Sequence, residues 1–283
     1  MLVVLILGSF DVAHATETDQ FTTPKAPLHD IGPILSRKVV EIIEADRTGA
    51  DPEQILYKWA GRNLVASRLT RWIKESAGPQ GAFRPTVAKS IYGASFSPIP
   101  ASFLFNSPTV NLHGYYLGTD KIDHFFRQGH EYFTLAIKKD IATAVAHGVK
   151  QEHTYLGTLS SGVYSNADLA ANYAGMKFYF NLPALFELTP KGWRLRPGID
   201  PDHLLEPFLS HHLNESLNPS RYRFSRAATR ARIRERCDAW TRFYTGLIPS
   251  EQNFAATWFG EDYGRWLPPA DEVSIATECA VLN

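Results

Sequence analysis

The sequence predicts a mainly α-helical single domain with a small β-hairpin and a long Pro/Gly-rich loop segment. Apolar residues recur at helical spacing in several separated stretches. Prolines and glycines crowd residues 78–118 and break any helix there. A strand–turn–strand pattern stands at Leu185–Leu195. At 283 residues, 44% hydrophobic and 12% aromatic, the chain has surface enough to bury a large core and the composition of a folded protein.

Residues 1–8 are almost entirely apolar, and Ala13-His14-Ala15 supplies small residues at the spacing a signal peptidase reads. Residues 1–15 therefore read as a signal peptide with a short apolar region and no charged start. The domain is expected over 22–283, with Thr22 to His29 as linker. Pro33 suits a first helical turn, and Ile34, Leu35, Val39, Val40, Ile42 and Ile43 carry the period to Ala45. Asp51-Pro52 restarts it as cap and first helical residue, with one long amphipathic helix to about Ser76. Within the loop-rich segment Ser90–Tyr92, Ser102–Phe105 and Thr109–Leu112 are candidate short strands. Thr119 or Asp120 then caps a helix running through Ile141 to about His147, and Gly148 to Ser161 reads as loop. Ser165-Asn166-Ala167-Asp168 has capping-box spacing, the acid reaching back to the cap's amide. That helix runs to about Phe180 and is stopped by Pro183. Asp200-Pro201 opens a helix through Leu209, and an arginine-rich helix extends to about Thr245. The last thirty-odd residues, with Trp258, Phe259, Trp266, Pro268 and Pro269, read as a tail wrapped on the body.

Twenty-nine basic residues balance 29 acidic ones, so no bulk field favours nucleic acid. No later stretch reaches the length of a membrane span. The chain has two cysteines, Cys237 and Cys279. An exported protein meets oxidising conditions, so they are expected to form a structural bridge. Localisation is accordingly expected to be periplasmic or secreted.

The chemistry concentrates between Gly118 and Phe133. On a helical wheel Ile122, Phe126, Gly129, Phe133, Ala136 and Ile137 form the core side. Asp120, His124, Gln128 and Glu131 fall opposite, bordered by Phe125 and Tyr132. On the next helix Asp168, Asn172, Gly175 and Tyr179 share a face, and Ala171 and Gly175 leave room for a second backbone. Two helices each carrying an acid and a hydrogen-bonding partner at i+4 are a common way to build acid–base and metal sites. The bland alternatives are a solvated polar face for the first helix and a simple cap for Asp168.

The pattern Asp120-Lys121-x-x-His124-Phe125, followed by Ser165-x-x-Asp168-Leu169-x-Ala171-Asn172-x-x-Gly175, resembles the paired signature of the VanZ-like and YfiM-like bacterial envelope proteins. The resemblance covers about 60 residues and implies an envelope compartment and a shared site more than a chemistry. The absence of membrane spans departs from the VanZ pattern.

Other motifs drop out. Thr134 stands where a zincin places its second histidine after His130-Glu131, Gly157–Gly162 lacks the serine placement of a nucleophile elbow, and no phosphate loop or dinucleotide fingerprint occurs. His211-His212 reads as surface, His113 and His153 lie in loops flanking the site, and the arginine run from Arg221 to Arg236 reads as a solvated helix face. The expected function is an exported cell-envelope hydrolase, foremost a lysozyme-like enzyme cutting peptidoglycan glycan strands. It would need no cofactor. Glu131 would be the general acid, its pKa raised by partial burial, and Asp120, Asp168 or His124 would orient water or stabilise charge. Gln128, Tyr132, Ser165, Asn172 and His153 are the candidate substrate contacts. The alternatives are a metal-dependent hydrolase with zinc or manganese at Asp120, His124 and Asp168, or a non-catalytic envelope protein using the same residues as a buried network. The partner in each case is peptidoglycan or another envelope polymer.

Overall fold

The computed structural model describes residues 17–61, 67–94, 107–154, 157–158, 162–222, 226–245 and 273–279. The expected signal peptide, the strand at Ser102–Phe105 and the aromatic tail with Trp258, Phe259 and Trp266 lie outside them. The described chain is mainly α, with short antiparallel sheets. Among the described residues no helix is long and apolar enough to cross a membrane.

Helix α1 (Gly32–Ala45) matches its predicted span and buries Leu35, Val39, Val40, Ile42 and Ile43. The long helix expected to Ser76 is broken instead. Helix α2 (Pro52–Leu56) passes into a π turn (Tyr57–Gly61), α3 (Arg68–Ser76) begins afresh because Ser67 caps it, its hydroxyl accepting from the Thr70 amide, and a one-turn α4 (Gly78–Gly81) follows. Ile91–Ala94, part of a predicted strand, is a 3-10 turn. Strand β2 (Thr109–Leu112) is the strand the sequence predicts. It pairs antiparallel with β1 (Ala82–Phe83) and with β3 (Tyr115–Gly118), so Thr109 faces Gly118 and Leu112 faces Tyr115.

Beyond β3 the predicted single helix divides into three pieces. Helix α5 (Thr119–Asp123) runs into a π segment (His124–Gln128), which continues as α6 (Gly129–Lys138). Asp140 then ends the run by capping α7 (Ile141–His153), its carboxylate accepting from the Thr143 amide at 2.6 Å. The predicted loop Gly148–Ser161 is thus helix as far as His153. The wheel drawn for an unbroken helix places Ile122, Phe126, Gly129, Phe133 and Ala136 correctly on the core side, but a π segment fits more residues to the turn, and Tyr132, placed at the border of the polar face, is buried. Ile137, assigned to the core, is 62% exposed.

Strand β4 (Val163–Ser165) leads into α8 (Asn166–Leu185), the longest helix described, almost wholly buried over its first fourteen residues. Pro183 lies inside its last turn rather than stopping it. So near the end the missing amide costs little, and the Pro183 carbonyl, open because it lies in the last turn, accepts from Arg196. The predicted hairpin is β5 (Phe186–Thr189) with β6 (Gly192–Leu195). The helix expected from Asp200 is two 3-10 turns, Pro201–His203 and Glu206–Phe208. Strand β7 (Ser220–Tyr222) pairs with β4, and the arginine-rich stretch forms α9 (Arg226–Arg234) and α10 (Cys237–Tyr244).

Two apolar clusters result. The larger joins α1, α2, the run from α5 to α8 and the 204–213 segment; the smaller gathers Phe21, Tyr116, Val163, Tyr222, Trp240 and Val273. Cys237 and Cys279 are bonded across 42 residues, a closure that stabilises by about 4 kcal/mol on the chain-entropy estimate. The arginines do not form a free solvated face. Arg232 donates to the Ser90 carbonyl at 2.6 Å, Arg236 donates to Thr22, and Arg230 and Arg234 pair with Glu278.

His130 shows how the main cluster sets charge. Its ring stacks on Tyr57 at 4.2 Å and meets Tyr179 edge-on at 5.2 Å, and burial lowers its pKa to about 4. The unfolded chain, with the ordinary value near 6.5, binds the proton first. The contribution of neutral His130 is therefore complete above about pH 6.5 and is lost as pH falls toward 4. In paired melting experiments the wild type should exceed His130→Gln in stability at pH 7, and the gap should narrow by pH 4.5. A gap constant with pH would refute the assignment.

Candidate functional site

The seam between the two clusters is charged. Lys121, in the first turn of α5, is fully buried (0% exposed). Its ammonium lies 2.8 Å from Asp120 Oδ2 and 2.5 Å from Asp168 Oδ1, and it also pairs with Glu215 Oε1. Burial alone would lower the Lys121 pKa, but Asp120, Asp168, Glu215 and Glu17 together hold it well above the ordinary lysine value. It remains a cation.

Each acid is delivered by a different element. Asp120 precedes Lys121 and accepts from Thr18 Oγ1 at 2.5 Å, which ties the N-terminal segment to α5. Asp168 comes from the first turn of α8. Glu215 sits in the crossing between the 3-10 turns and β7. Its backbone amide donates to Gln20 Oε1 at 2.7 Å, while Ser165 and Ser220 hydroxyls donate to its two carboxylate oxygens at 2.6 and 2.9 Å. Ser165 thus caps α8, its oxygen accepting from the Asp168 amide at 3.1 Å, and orients Glu215 with its proton. The capping box expected here is incomplete. The Ser165 amide goes to Glu152 Oε2 at 3.4 Å instead, because the Asp168 side chain is drawn to Lys121 and His124.

Two further acids complete the set. Glu152, at the end of α7, is buried, and burial with the neighbouring Asp168 raises its pKa well above the ordinary value. Glu17 is 7% exposed, and among the described residues both its carboxylate oxygens lack a hydrogen-bond partner. Burial, then Asp168 and Glu215, raise its pKa strongly. Glu215 is raised by burial too, with Lys121 opposing. Five buried carboxyl groups therefore face a single ammonium.

The fourth-position partner of Asp120 is His124, and its environment is specific. His124 Nδ1 lies 3.0 Å from Asn172 Oδ1. A carbonyl oxygen only accepts, so Nδ1 carries the hydrogen and Nε2 of the neutral ring carries a lone pair. That lone pair faces Asp168 Oδ2, another acceptor, at 3.3 Å. Two acceptors hold this approach only with a cation between them, either a proton on the imidazole or a metal ion. Tetrahedral zinc with bonds of about 2.0–2.1 Å sets its ligand atoms about 3.3 Å apart. Ligand atoms of His124, Glu152 and Asp168 all lie within 4.8 Å of one another, as do those of Glu17, Asp168 and Glu215. The second set surrounds the Lys121 ammonium and already holds its cation.

The structure thus gathers Asp120, His124, Asp168, Asn172 and Ser165 around Lys121, which the sequence signature contained without a role, and adds Glu17, Glu152 and Glu215, which sequence reasoning gave no place in the site. The expected metal set is altered: Asp120 turns to Lys121 and Thr18, and Glu152 takes its place beside His124 and Asp168. Glu131 stands apart from this cluster, half-buried on α6, accepting from Gln151 Nε2 at 3.3 Å. Tyr132 is buried against Gly148, and Gln128 is buried with its Oε1 lacking a partner among the described residues. His153 is exposed, its ring 4.5 Å from that of Tyr164 and tilted by 39°. His211, read from sequence as surface, is buried against Tyr115, and burial lowers it and His212 to about 4.

No family model, curated protein or solved structure matches this chain.

Proposed function

We propose that the protein is an exported, metal-dependent hydrolase acting on a polymer of the cell envelope, with His124, Asp168 and Glu152 as ligands. The observation that carries it is the convergence of His124, Asp168 and Glu152 ligand atoms within 4.8 Å, with His124 Nε2 3.3 Å from Asp168 Oδ2. Asn172 fixes the tautomer from the far side of the ring, the outer-shell arrangement typical of ligating histidines. Lys121 binds one oxygen of Asp168 and thereby turns the other toward His124. A divalent ion at such a site supplies a water activated near neutral pH and a Lewis acid. The disulfide supports an oxidising compartment. The residues of the envelope-protein signature named from the sequence, Asp120, Lys121, His124, Asp168 and Asn172, are the ones that converge.

A lysozyme-like glycosidase is the second proposal, favoured by the half-buried Glu131 beside buried Tyr132. Incubation of purified protein with isolated sacculi separates the two. Metal dependence requires that exhaustive chelation stop the release of soluble fragments, that zinc or manganese restore it, and that His124→Gln abolish it while Glu131→Gln leaves it intact. Release that survives chelation and is lost in Glu131→Gln would replace the metal mechanism with the glycosidase. If no fragments appear and His124→Gln only lowers the melting temperature, the cluster is a structural lock.

A further inference from the structure

A second group of ligating side chains lies apart from the buried centre, where the β2–β3 turn meets the two 3-10 turns. His113 occupies that turn with φ of 53°, a left-handed conformation uncommon outside glycine that histidine adopts more readily than most residues. Its amide donates to Asp30 Oδ1 at 2.8 Å, and the next amide, of Gly114, donates to Asn111 Oδ1 at 2.9 Å. The ring lies on bare backbone: a Cβ on Gly32 would stand 2.5 Å from it. The imidazole is thus fixed before any ligand arrives.

Opposite it, the ring of His203 lies 5.1 Å away, centroid to centroid, inclined by 33°. His203 Nδ1 is 2.6 Å from Glu206 Oε2, and its Nε2 is 3.9 Å from Asp200 Oδ2. One ligand atom from each of His113, His203 and Glu206 falls within 4.8 Å of the others. Unlike the buried carboxylates these groups meet solvent, with the His203 side chain 53% exposed.

We propose that His113, His203 and Glu206 bind a divalent transition ion of the zinc class at the surface, independently of the buried centre. Two imidazole nitrogens and a carboxylate oxygen suit zinc and leave a fourth position open. The same set disfavours magnesium and calcium, which take oxygen ligands. Bound there, the ion would tie the β2–β3 turn to the 200–208 segment, beside the Arg37–Asp202 pair that joins α1 to the same turn.

The test is zinc stoichiometry on the full chain, stripped with chelator and dialysed against zinc chloride. His203→Gln and Glu206→Gln should each bind one zinc fewer per chain than the unaltered protein, and His113→Asn should do the same. His147→Gln, an exposed histidine on α7, should keep the full count. Metal-free melts of the two exposed variants should match the unaltered protein, so that a lost zinc is not a lost fold. A full zinc count in His203→Gln and Glu206→Gln would overturn the proposal. It stands or falls apart from the buried site: if His124 binds nothing, the unaltered chain holds one zinc and His203→Gln none.

Discussion

Replacing Lys121 with methionine should cost about 3–5 kcal/mol of folding stability, the range for removing one partner of a buried ion pair. Methionine matches the aliphatic stem, which lies in apolar surroundings with Leu117, Ile122 and Leu213, so packing changes little. What is lost is the ammonium that Asp120, Asp168 and Glu215 share. Each of those buried carboxyl groups must then take up a proton or stay charged without its counter-ion. Such a loss is a large fraction of the 5–15 kcal/mol that typically stabilises a protein. At about 2–4 °C per kcal/mol it should appear as a fall in melting temperature of roughly 6–20 °C. Adding Glu215→Gln should recover part of the loss, since a neutral amide removes one uncompensated charge while its oxygen accepts from one of the Ser165 and Ser220 hydroxyls and its NH2 donates to the other. Zinc or manganese should raise the melting temperature of Lys121→Met more than that of the wild type, because the emptied position keeps Glu17, Asp168 and Glu215 within ligand distance. A cost below about 1 kcal/mol, the value of an exposed pair, would show that Lys121 does not hold the cluster together.

The sequence exposes half of this cluster and conceals the rest for physical reasons. Asp120 with His124 and Asp168 with Asn172 each stand four apart, and spacing within one helix is visible in a linear chain. Glu17, Glu152 and Glu215 come from the N-terminal segment, the end of α7 and the crossing before β7, and no local period joins them. Lys121 is in plain view beside Asp120, yet a lysine is assumed to reach water unless its partners are known, and those partners are distant in sequence. The fold divides in the same way. The β5–β6 hairpin and α1 are legible because each is fixed by its own residues. The break at Asp140 is a local cap, an aspartate three residues before Thr143, whose signal was hidden by the apolar period running through it. The π segment at His124–Gln128 has no such local mark; beyond it Gly129, Phe133 and Ala136 still pack on the core as assigned, while Ile137 turns to solvent and Tyr132 is buried.

Gly175→Ala should be the other strongly destabilising change, by about 3 kcal/mol or more. Alanine is the better helix former by about 1 kcal/mol, so propensity alone predicts a gain. The crossing of α8 with the π segment and α6 decides otherwise. A Cβ on Gly175 would lie 1.9 Å from the Phe125 carbonyl oxygen, and one on Gly129 would lie 2.7 Å from the Gly175 Cα. Both obstacles are backbone, so no side chain can swing aside and the helices must separate, at the upper end of the 1–3 kcal/mol usual for overpacking. Separation acts on the site directly. Asn172 is one turn before Gly175, and His124 is the residue before Phe125, so the 3.0 Å bond that fixes the imidazole tautomer spans the same crossing. Tyr179, one turn beyond, would also lose its 2.8 Å hydrogen bond to the Phe126 carbonyl. Gly175→Ala should therefore lower the melting temperature and weaken zinc or manganese binding together, and His124→Gln should abolish binding at the buried site with a smaller loss of stability. Wild-type stability and metal affinity in Gly175→Ala would mean that the helices do not meet backbone to backbone, and that the geometry assigned to His124 does not depend on their contact.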